Sequence, residues 1–241
     1  MKIIKDIKNL KKSILGIKTK NQLIGFVPTM GCLHKGHISL LNQSISENDI
    51  TICSIYINPT QFNDKNDFLT YPRHYNLDVD LLKSIDCDLL FLPTDEEMYP
   101  NNDSDIKHYN SNYMDILEGE KRPGHFSGVI TIVNKFFNLI QPDRVYFGEK
   151  DYQQLWIIQL FTKTFQLPIE IKSCPTIREE NGLALSSRNT NLTTAAKEQA
   201  GTLFSTLELF KNEIKYRGIL NEVDFVALKQ KLINKLLSNS L

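Results

Sequence analysis

The amino-acid sequence predicts a doubly wound α/β fold, in which helices cover both faces of a parallel sheet. Short apolar runs alternate with stretches of helical periodicity over the first two-thirds of the chain. These runs are apolar at successive positions rather than at every second one, which is typical of strands that are buried on both faces. Parallel strands need crossover connections, and these are almost always right-handed. The alternation therefore predicts an open sheet wound in both directions.

The strands and helices can be placed one after another along this pattern. Five runs are predicted as strands, namely LIGFVPT, DITICSIYIN, CDLLFLPT, DRVYFGE and IEIKSCPTI. Between them, helical patterns begin near Leu33, Leu77, Gly128 and Asp151. Strands and helices thus follow each other in the order that a Rossmann-like sheet requires.

The opening segment, MKIIKDIKNLKKSILGIK, predicts a first helix that packs on the core. Its apolar residues recur at helical spacing, at Ile3, Ile7, Leu10 and Ile14. A targeting peptide is the alternative, because the segment is rich in lysine. The presence of Asp6 and the lack of arginine and of a cleavage signal favour the ordinary helix.

A small second domain is predicted at the carboxyl end. The strand signal disappears after Ser187, and two helical stretches remain, at residues 193–216 and 223–237. A proline interrupts the pattern shortly before them, which indicates a boundary. We therefore expect a Rossmann-like domain over residues 1–175 and a small, mostly helical lid domain over residues 176–241.

Composition and charge argue against several classes of partner. Lysine and arginine together number 28, as do aspartate and glutamate, so the formal charge is zero and gives no sign of a nucleic-acid or anionic-membrane footprint. No apolar run reaches the roughly 18 residues that a membrane span needs. The 4 cysteines stand far apart without a CxxC pair, which is typical of free thiols in a reducing cytosol. We expect a cytoplasmic protein that binds small molecules.

The stretch FVPTMGCLHKGH joins the first predicted strand to the helix that follows. Pro28 stiffens this turn, and Gly31 lets the backbone approach a ligand closely. His34 and His37 are three residues apart, so they share a face on the first helical turn. A helix N-terminus offers unpaired N–H groups and a partial positive charge. The stretch therefore predicts a phosphate site to which two histidines donate hydrogen bonds.

A plain structural role is the alternative for the two histidines. For an isolated HxxH pattern, capping or packing of the helix would be the more frequent explanation. Here the pattern follows the first strand of a predicted doubly wound sheet, and ligands bind at the carboxyl ends of such strands. The pattern also resembles the HxGH signature of the nucleotidyltransferase superfamily. We therefore favour the nucleotide site.

A second candidate segment, DRVYFGEKDYQQL, runs from a predicted strand into a helix. Gly148 allows the backbone to approach a ligand, and Lys150 can neutralise phosphate charge. Asp151 stands where it could cap the helix. Gln153 and Gln154 are expected to face a ligand with both donors and acceptors. Taken alone, the segment is equally compatible with a surface turn.

A third segment, LALSSRN, places hydroxyls and a guanidinium just before the helical carboxyl end. Arg188 supplies a planar fork that suits oxyanions, and Ser186 and Ser187 add weaker hydrogen bonds. As a mobile loop this segment could close over a nucleotide, whereas a capping turn is the alternative. Three further polar residues lie where strands and helices are expected to open onto the same edge, namely Gln61, Arg122 and His125.

Taken in order, PTMGCLHKGH, INPTQFN, YPR, RPGHFSGV, PDRVYFGEKDYQQL and LALSSRN resemble the pantoate–β-alanine ligase family of coenzyme A biosynthesis. The ordered set is far more specific than any one motif. The resemblance implies an ATP-dependent reaction in two steps. The carboxylate of pantoate first attacks the α-phosphorus of ATP, with the assistance of Mg²⁺, giving pantoyl adenylate and pyrophosphate. The amine of β-alanine then displaces AMP. The resemblance also implies a homodimer.

The functional residues of that family fall on matching positions of this sequence. By resemblance, the ATP site comprises Met30, Gly31, Cys32, Leu33, His34, Lys35, Gly36, His37, Gly148, Glu149, Lys150, Asp151, Ile177, Leu185, Ser186, Ser187 and Arg188. The catalytic set is His34, His37, Lys150 and Arg188, with an acid role usually assigned to His37. Phosphoryl transfer chiefly needs positioning and charge neutralisation, so we expect His37 to act as a hydrogen-bonding stabiliser.

Substrate and metal positions complete the expected site. Gln61 and Gln154 match pantoate-binding glutamines, and Gln61 also lies near β-alanine in the family. Arg122 and His125 are expected to bind substrate as well. Asp67, just before YPR, corresponds to a position near the metal or the second substrate.

The carboxyl end departs from the family pattern. That domain normally continues into a small β-sheet, whereas this sequence ends in LINKLLSNSL. The lid domain is therefore expected to be shortened and to exclude water from the adenylate less well. One alternative function is that of another HxGH enzyme, such as a tRNA synthetase, which should be basic. The other is a nucleotide-binding protein that has lost catalysis, although the residues of the catalytic set are retained.

Overall fold

The computed structural model describes residues 1–100, 109, 111–218 and 221–238 and divides the chain into two compact units, Met1–Thr176 and Ile177–Leu241. The polar run at 101–105, for which the sequence predicts an exposed loop, lies outside the described residues. The first unit is a parallel sheet with flanking helices, and the second is mainly helical. The predicted fold class is therefore confirmed.

Every pairing in the sheet is parallel. Its strands are β1 (Lys2–Ile4), β2 (Ile24–Thr29), β3 (Ile50–Ile55), β4 (Leu89–Phe91), β5 (Arg144–Gly148) and β6 (Glu170–Cys174), in the spatial order β1-β4-β3-β2-β5-β6. The chain first builds outward from β2 through β3 to β4, and then returns to add β5 on the other side of β2. Ligands of doubly wound sheets bind where the order reverses, which here is between β2 and β5.

Helices connect the strands and form the second unit. In the first unit they are α1 (Ile7–Lys18), α2 (Lys35–Glu47), α3 (Lys65–Thr70), α4 (Tyr75–Ser84), α5 (Asp95–Met98), α6 (Glu118–Lys121), α7 (His125–Ile140) and α8 (Tyr152–Thr164). The second unit contains α9 (Thr194–Arg217) and α10 (Glu222–Ser238). Single 3-10 turns occur at Pro59–Gln61, Asn112–Met114, Glu149–Asp151 and Ser187–Asn191. Within the described residues, no helix is both long and apolar enough to span a membrane.

The opening segment is the place where the predicted elements are wrong. Its first residues form the edge strand β1, in which Lys2 lies opposite Leu89, and α1 begins only at Ile7. The carboxylate of Asp6 caps that helix by accepting the N–H of Asn9 at 2.8 Å. An N-cap side chain of this kind fixes the start of a helix. The helical spacing that we extended back to Ile3 therefore belongs to α1 alone.

The central strands β2 to β5 are buried on both faces, as their continuous apolar runs predict, whereas the edge strands β1 and β6 are more exposed. Successive residues of β2 point to opposite sides, so Phe26 packs into one core and Val27 into the other. The first core includes α1, α7 and α8, and the second includes α2 and α4. Burying a side chain of this size contributes about 1.5–3 kcal/mol to the stability of the fold. The two cores therefore hold the strands, and with them the strand ends, in place.

Candidate active site

The loop after β2 is shaped by left-handed backbone conformations and by one buried carboxylate. Gly31 and Cys32 have φ angles of 81° and 50°. The side chain of Asp78, which lies in the first turn of α4, accepts the N–H groups of Cys32 at 2.9 Å and Leu33 at 2.7 Å. A Cβ at position 31 would lie 3.0 Å from the Asp78 carboxylate, which explains the glycine there. The loop is therefore held in place just before His34.

The two histidines lie at the start of α2 and also hold its first turn. His34 is the N-cap residue, and its Nδ1 accepts the N–H of Gly36 at 3.1 Å. Nδ1 of His37 accepts the N–H of His34 at 3.2 Å, and the two ring centroids are 4.1 Å apart. Because each Nδ1 accepts a hydrogen bond, each neutral ring carries its proton on Nε2. The capping role and a ligand role are thus compatible, since they use different nitrogens.

The electrostatic surroundings of His37 keep its ring uncharged. Burial lowers the pKa of His37 to about 3, and electrostatic interactions with His34 and Lys150 act in the same direction. At neutral pH the ring is therefore a neutral hydrogen-bond donor rather than an imidazolium acid. This supports the expectation that His37 stabilises charge on a ligand instead of supplying a proton.

The shifted pKa of His37 predicts a dependence of stability on pH. The unfolded chain binds a proton at this ring near the ordinary pKa of 6.5, whereas the folded chain binds it only near 3. Protons therefore favour unfolding, and stability contributed by the neutral ring is lost as the pH falls through this window, by at most about 1.4 kcal/mol per pH unit. Urea unfolding between pH 7 and pH 4 should show a shallower pH slope for His37→Gln. Equal slopes would contradict the assignment.

The strand next to β2 brings Lys150 to the same edge. Gly148 ends β5, and Lys150 follows in the 3-10 turn Glu149–Asp151. Its ammonium lies 2.8 Å from the carboxylate of Asp151. Asp151 occupies the N-cap position of α8, but its side chain makes no capping hydrogen bond, so the predicted cap is wrong. The carboxylate of Asp151 forms an ion pair with Lys150 instead.

Gln61 is held at the carboxyl end of β3 by partners from three elements. Its amide nitrogen lies 3.1 Å from Sδ of Met30, and its amide oxygen accepts from the buried Asn58 at 3.3 Å. Nδ1 of His125 donates to the backbone oxygen of Gln61 at 2.7 Å. Burial lowers the pKa of His125. The structure thus brings together three predicted site residues, and it adds Asn58, which we did not predict.

Gly128 allows the turn that carries Gln61 to approach α7. A Cβ at this position would overlap the carbonyl of Thr60 and lie 2.8 Å from Cα of Gln61. We expect Gly128→Ala to displace the turn and to destabilise the protein by about 1–3 kcal/mol, as overpacking does in cores. Urea unfolding measures the loss. Gly16→Ala is the matched control, because a Cβ on Gly16 meets no atom within 4 Å. An unchanged stability in Gly128→Ala would contradict the close approach.

The remaining substrate candidates lie at the C-cap of α6 and in the first turn of α8. The guanidinium of Arg122 is 2.6 Å from the carboxylate of Glu118. Gln154 is half-buried in the first turn of α8. Gln153 is buried and bonds the backbone of Tyr113, Ile116 and Glu118. Our expectation that Gln153 faces a ligand is therefore wrong, because its amide is engaged within the fold.

The donors for a metal ion are sparse. Asp67 is half-buried in the first turn of α3. Across the described ranges, no cluster of three or more histidine, cysteine, aspartate or glutamate side chains could hold a metal. Mg²⁺ in nucleotide enzymes is often held by one or two carboxylates together with phosphate oxygens. The residues present fit an ion that arrives with a nucleotide.

The second unit carries the other predicted ATP residues on one short loop. The N–H of Leu185 donates to the carbonyl of Ile177 at 3.0 Å. Ser186 precedes the 3-10 turn Ser187–Asn191, and its hydroxyl accepts the N–H of Arg188 at 3.3 Å. Ser187 is buried and Arg188 is exposed. These residues lie close together within the unit, in the capping arrangement that was the alternative for this segment.

The fold and the first-unit site together define an α/β enzyme of the nucleotide-binding class, because a helix N-terminus with basic groups at a sheet's switch point suits phosphates. The family model of pantoate-beta-alanine ligase matches residues 2–240. The chain belongs to the pantoate–β-alanine ligase family, as its motifs predict.

Individual relatives agree with this assignment. The pantothenate synthetase of Azobacteroides pseudotrichonymphae is 46% identical over 238 residues, which cover 98% of this chain and 82% of that protein. The pantothenate synthetase of Bacteroides thetaiotaomicron is 47% identical over 208 residues, which cover 86% of this chain and 73% of that protein. The crystal structure of pantothenate synthetase from Thermus thermophilus has a TM-score of 0.89 at 36% identity, covering 98% of this chain and 83% of its own. The structure of the ligase from Francisella tularensis, complexed with βγ ATP and β-alanine, has a TM-score of 0.85 at 41% identity. The match covers 99% of this chain and 86% of that chain.

Proposed function

We propose that this chain uses ATP to join pantoate and β-alanine through a pantoyl-adenylate intermediate. In the first step a carboxylate oxygen of pantoate attacks the α-phosphorus, and the bond to the leaving pyrophosphate breaks. In the second step the amine nitrogen of β-alanine attacks the acyl carbon, the bond to AMP breaks, and the nitrogen loses a proton. The products are pantothenate, AMP and pyrophosphate.

The observation that carries this proposal is the meeting of His34, His37 and Lys150 at the switch point. Lys150 lies in the turn after β5, the strand that pairs with β2, and its charge contributes to lowering the pKa of His37. The Nε2–H groups of the two rings and one ammonium can stabilise the charge that grows on phosphate oxygens. Because backbone hydrogen bonds hold the two rings in position, their Nε2–H donors need little reorganisation.

The substrates are proposed on chemistry and on one relative. The Francisella tularensis ligase was complexed with βγ ATP and β-alanine, which supports ATP and β-alanine as ligands of this chain. Gln61 and Gln154 offer amide donors and acceptors that suit the hydroxyls and carboxylate of pantoate. When bound with the nucleotide, Mg²⁺ would neutralise phosphate charge, and Asp67 is the residue that we propose for it.

Gln61→Ala is expected to raise the pantoate concentration needed for half-maximal rate about tenfold or more, while the KM for ATP stays within about twofold. One well-placed hydrogen bond to a buried polar ligand is worth about 1.5 kcal/mol, which corresponds to such a factor. Initial rates of pyrophosphate release at varied pantoate and ATP measure both constants. An unchanged dependence on pantoate would remove Gln61 from the pantoate site.

Further assignments extend the proposal to the second unit and to the assembly. We propose that Ile177 and the segment Leu185–Arg188 bind ATP, as the motif LALSSRN implies, with Arg188 on the phosphates. A cytoplasmic location is supported by the free thiols of all four cysteines. The homodimer that the resemblance implies stays a prediction, and sedimentation equilibrium tests it.

The deciding experiment follows pyrophosphate release from ATP with pantoate and Mg²⁺, with and without β-alanine, and detects pantothenate by mass spectrometry. Release that depends on pantoate, with amide formed only after β-alanine is added, is the expected result. ATP binding without release would identify a nucleotide-binding protein that has lost catalysis.

A further inference from the structure

The side chain of Gln153 makes an unusual set of contacts with a neighbouring segment. Its amide nitrogen donates to the carbonyl oxygens of Tyr113 at 2.9 Å and Ile116 at 2.8 Å. Its amide oxygen accepts the N–H of Glu118 at 3.0 Å. Both N–H groups and the carbonyl of this buried amide are therefore used on the backbone of one short segment.

That segment contains a turn with a disfavoured residue. The N–H of Gly119 donates to the carbonyl of Ile116 at 2.9 Å, which closes a four-residue turn. Leu117 is the first central residue, with φ 53° and ψ −116°. This is close to the type II′ conformation, which is normally occupied by glycine. Since the side chain of Leu117 is 70% exposed, packing does not hold it there.

Gln153 binds both flanks of this residue. The carbonyl of Ile116 precedes Leu117 and the N–H of Glu118 follows it, and both are bonded to the same amide. The amide thus spans Leu117 and opposes rotation of its backbone. Glu118 then places its carboxylate 2.6 Å from the guanidinium of Arg122.

We propose that Gln153 is a positioning residue that holds the turn at Leu117 and, through Glu118, fixes the guanidinium of Arg122 for a substrate carboxylate. This inference rests on the proposed function, in which both pantoate and β-alanine carry a carboxylate. The next residue, Gln154, is proposed to bind pantoate. The first turn of α8 would therefore bind pantoate directly through Gln154. Through Gln153 it would also position Arg122 for a second contact with a substrate.

The test replaces Gln153 with methionine, which has a similar length but cannot make the three hydrogen bonds. We expect amide hydrogen exchange in the peptide 113–122 to accelerate at least tenfold. We also expect the KM of pantoate or of β-alanine to rise at least tenfold, with the KM for ATP changed less than threefold. Gln159→Met, at an exposed position of the same helix, is the matched control and should change neither. If Gln153→Met fails to fold, Gln153→Asn, which is too short to reach, takes its place.

A second substitution separates positioning from simple core packing. In Leu117→Gly the turn no longer contains a disfavoured residue, so adding this change to Gln153→Met should bring the raised KM most of the way back to the wild-type value. The inference would be overturned if Leu117→Gly did not lower the raised KM, or if amide hydrogen exchange in the peptide 113–122 were unchanged in Gln153→Met. If the wild-type chain forms no amide, the proposed function fails, while the exchange data still decide whether Gln153 holds the turn.

Discussion

Replacing His37 or Lys150 with alanine is expected to slow adenylate formation at least about a hundredfold. In the folded chain the ring of His37 is neutral, since burial and nearby positive charge lower its pKa to about 3. It therefore acts by donating its Nε2 proton in a hydrogen bond to an oxygen on which charge develops. Removing one such donor from an enclosed site costs roughly 3 kcal/mol of transition-state stabilisation. Pantoate-dependent pyrophosphate release measures the effect.

Control variants separate this loss from a general effect of charge. Lys163→Ala removes an exposed lysine from the last turn of α8 and should leave the rate within about twofold. His37→Gln can still donate through its amide and should retain more activity than His37→Ala. A drop of less than threefold in either alanine variant would exclude that residue from the role that we give it.

Asp78→Ala is expected to lower the free energy of unfolding by about 3 kcal/mol. The buried carboxylate accepts two backbone N–H groups from the loop between β2 and α2, and hydrogen bonds to a charged group contribute about 1.5–3 kcal/mol each. Alanine leaves both donors buried without an acceptor. Because these donors hold Cys32 and Leu33, the loop that precedes His34 should also lose its fixed position. Urea denaturation measures the first effect and pyrophosphate release the second.

A neighbouring carboxylate provides the control for Asp78. Asp80 lies on the same helix, is exposed, and forms a surface ion pair with Lys83 at 3.6 Å. Such pairs contribute at most about 1 kcal/mol, so Asp80→Ala should change the free energy of unfolding very little. Asp78→Asn keeps one acceptor, so its free energy of unfolding should lie between those of the wild type and Asp78→Ala. Equal losses at positions 78 and 80 would show that the loop does not depend on this carboxylate.

The sequence predicts the sheet well because its signal is local. A strand that is buried on both faces is largely apolar along its length, as β2 to β5 are, and the five predicted runs contain these strands and the more exposed edge strand β6. The remaining strand, β1, has only three residues, too few to show a period. Its neighbour α1 has a clear helical period, and this led us to extend the helix through residues that pair with β4 instead.

The candidate site was predictable only where its chemistry lies within one motif. His34 and His37 can be identified because three residues separate them on a helix. Asp78 bonds a loop that is 46 residues away in the sequence, and a carboxylate in the first turn of a helix is ordinary. Gln153 looked like a ligand-binding amide, since sequence alone does not tell which of two adjacent glutamines points into the fold. Contacts between distant segments, rather than residue types, decide these cases.

The position of β1 has a consequence for how the chain folds. This strand is synthesised before its partner β4, so it cannot pair until Leu89–Phe91 have left the ribosome. Pairing across so long a separation is slow, because the intervening loop must first be ordered. Until then the outer edge of β4 carries unpaired N–H and C=O groups, which other chains can bind. When the opening residues pair with β4 they cover this edge, while β5 and β6 follow later in the chain, so changes that weaken the pairing are expected to favour aggregation.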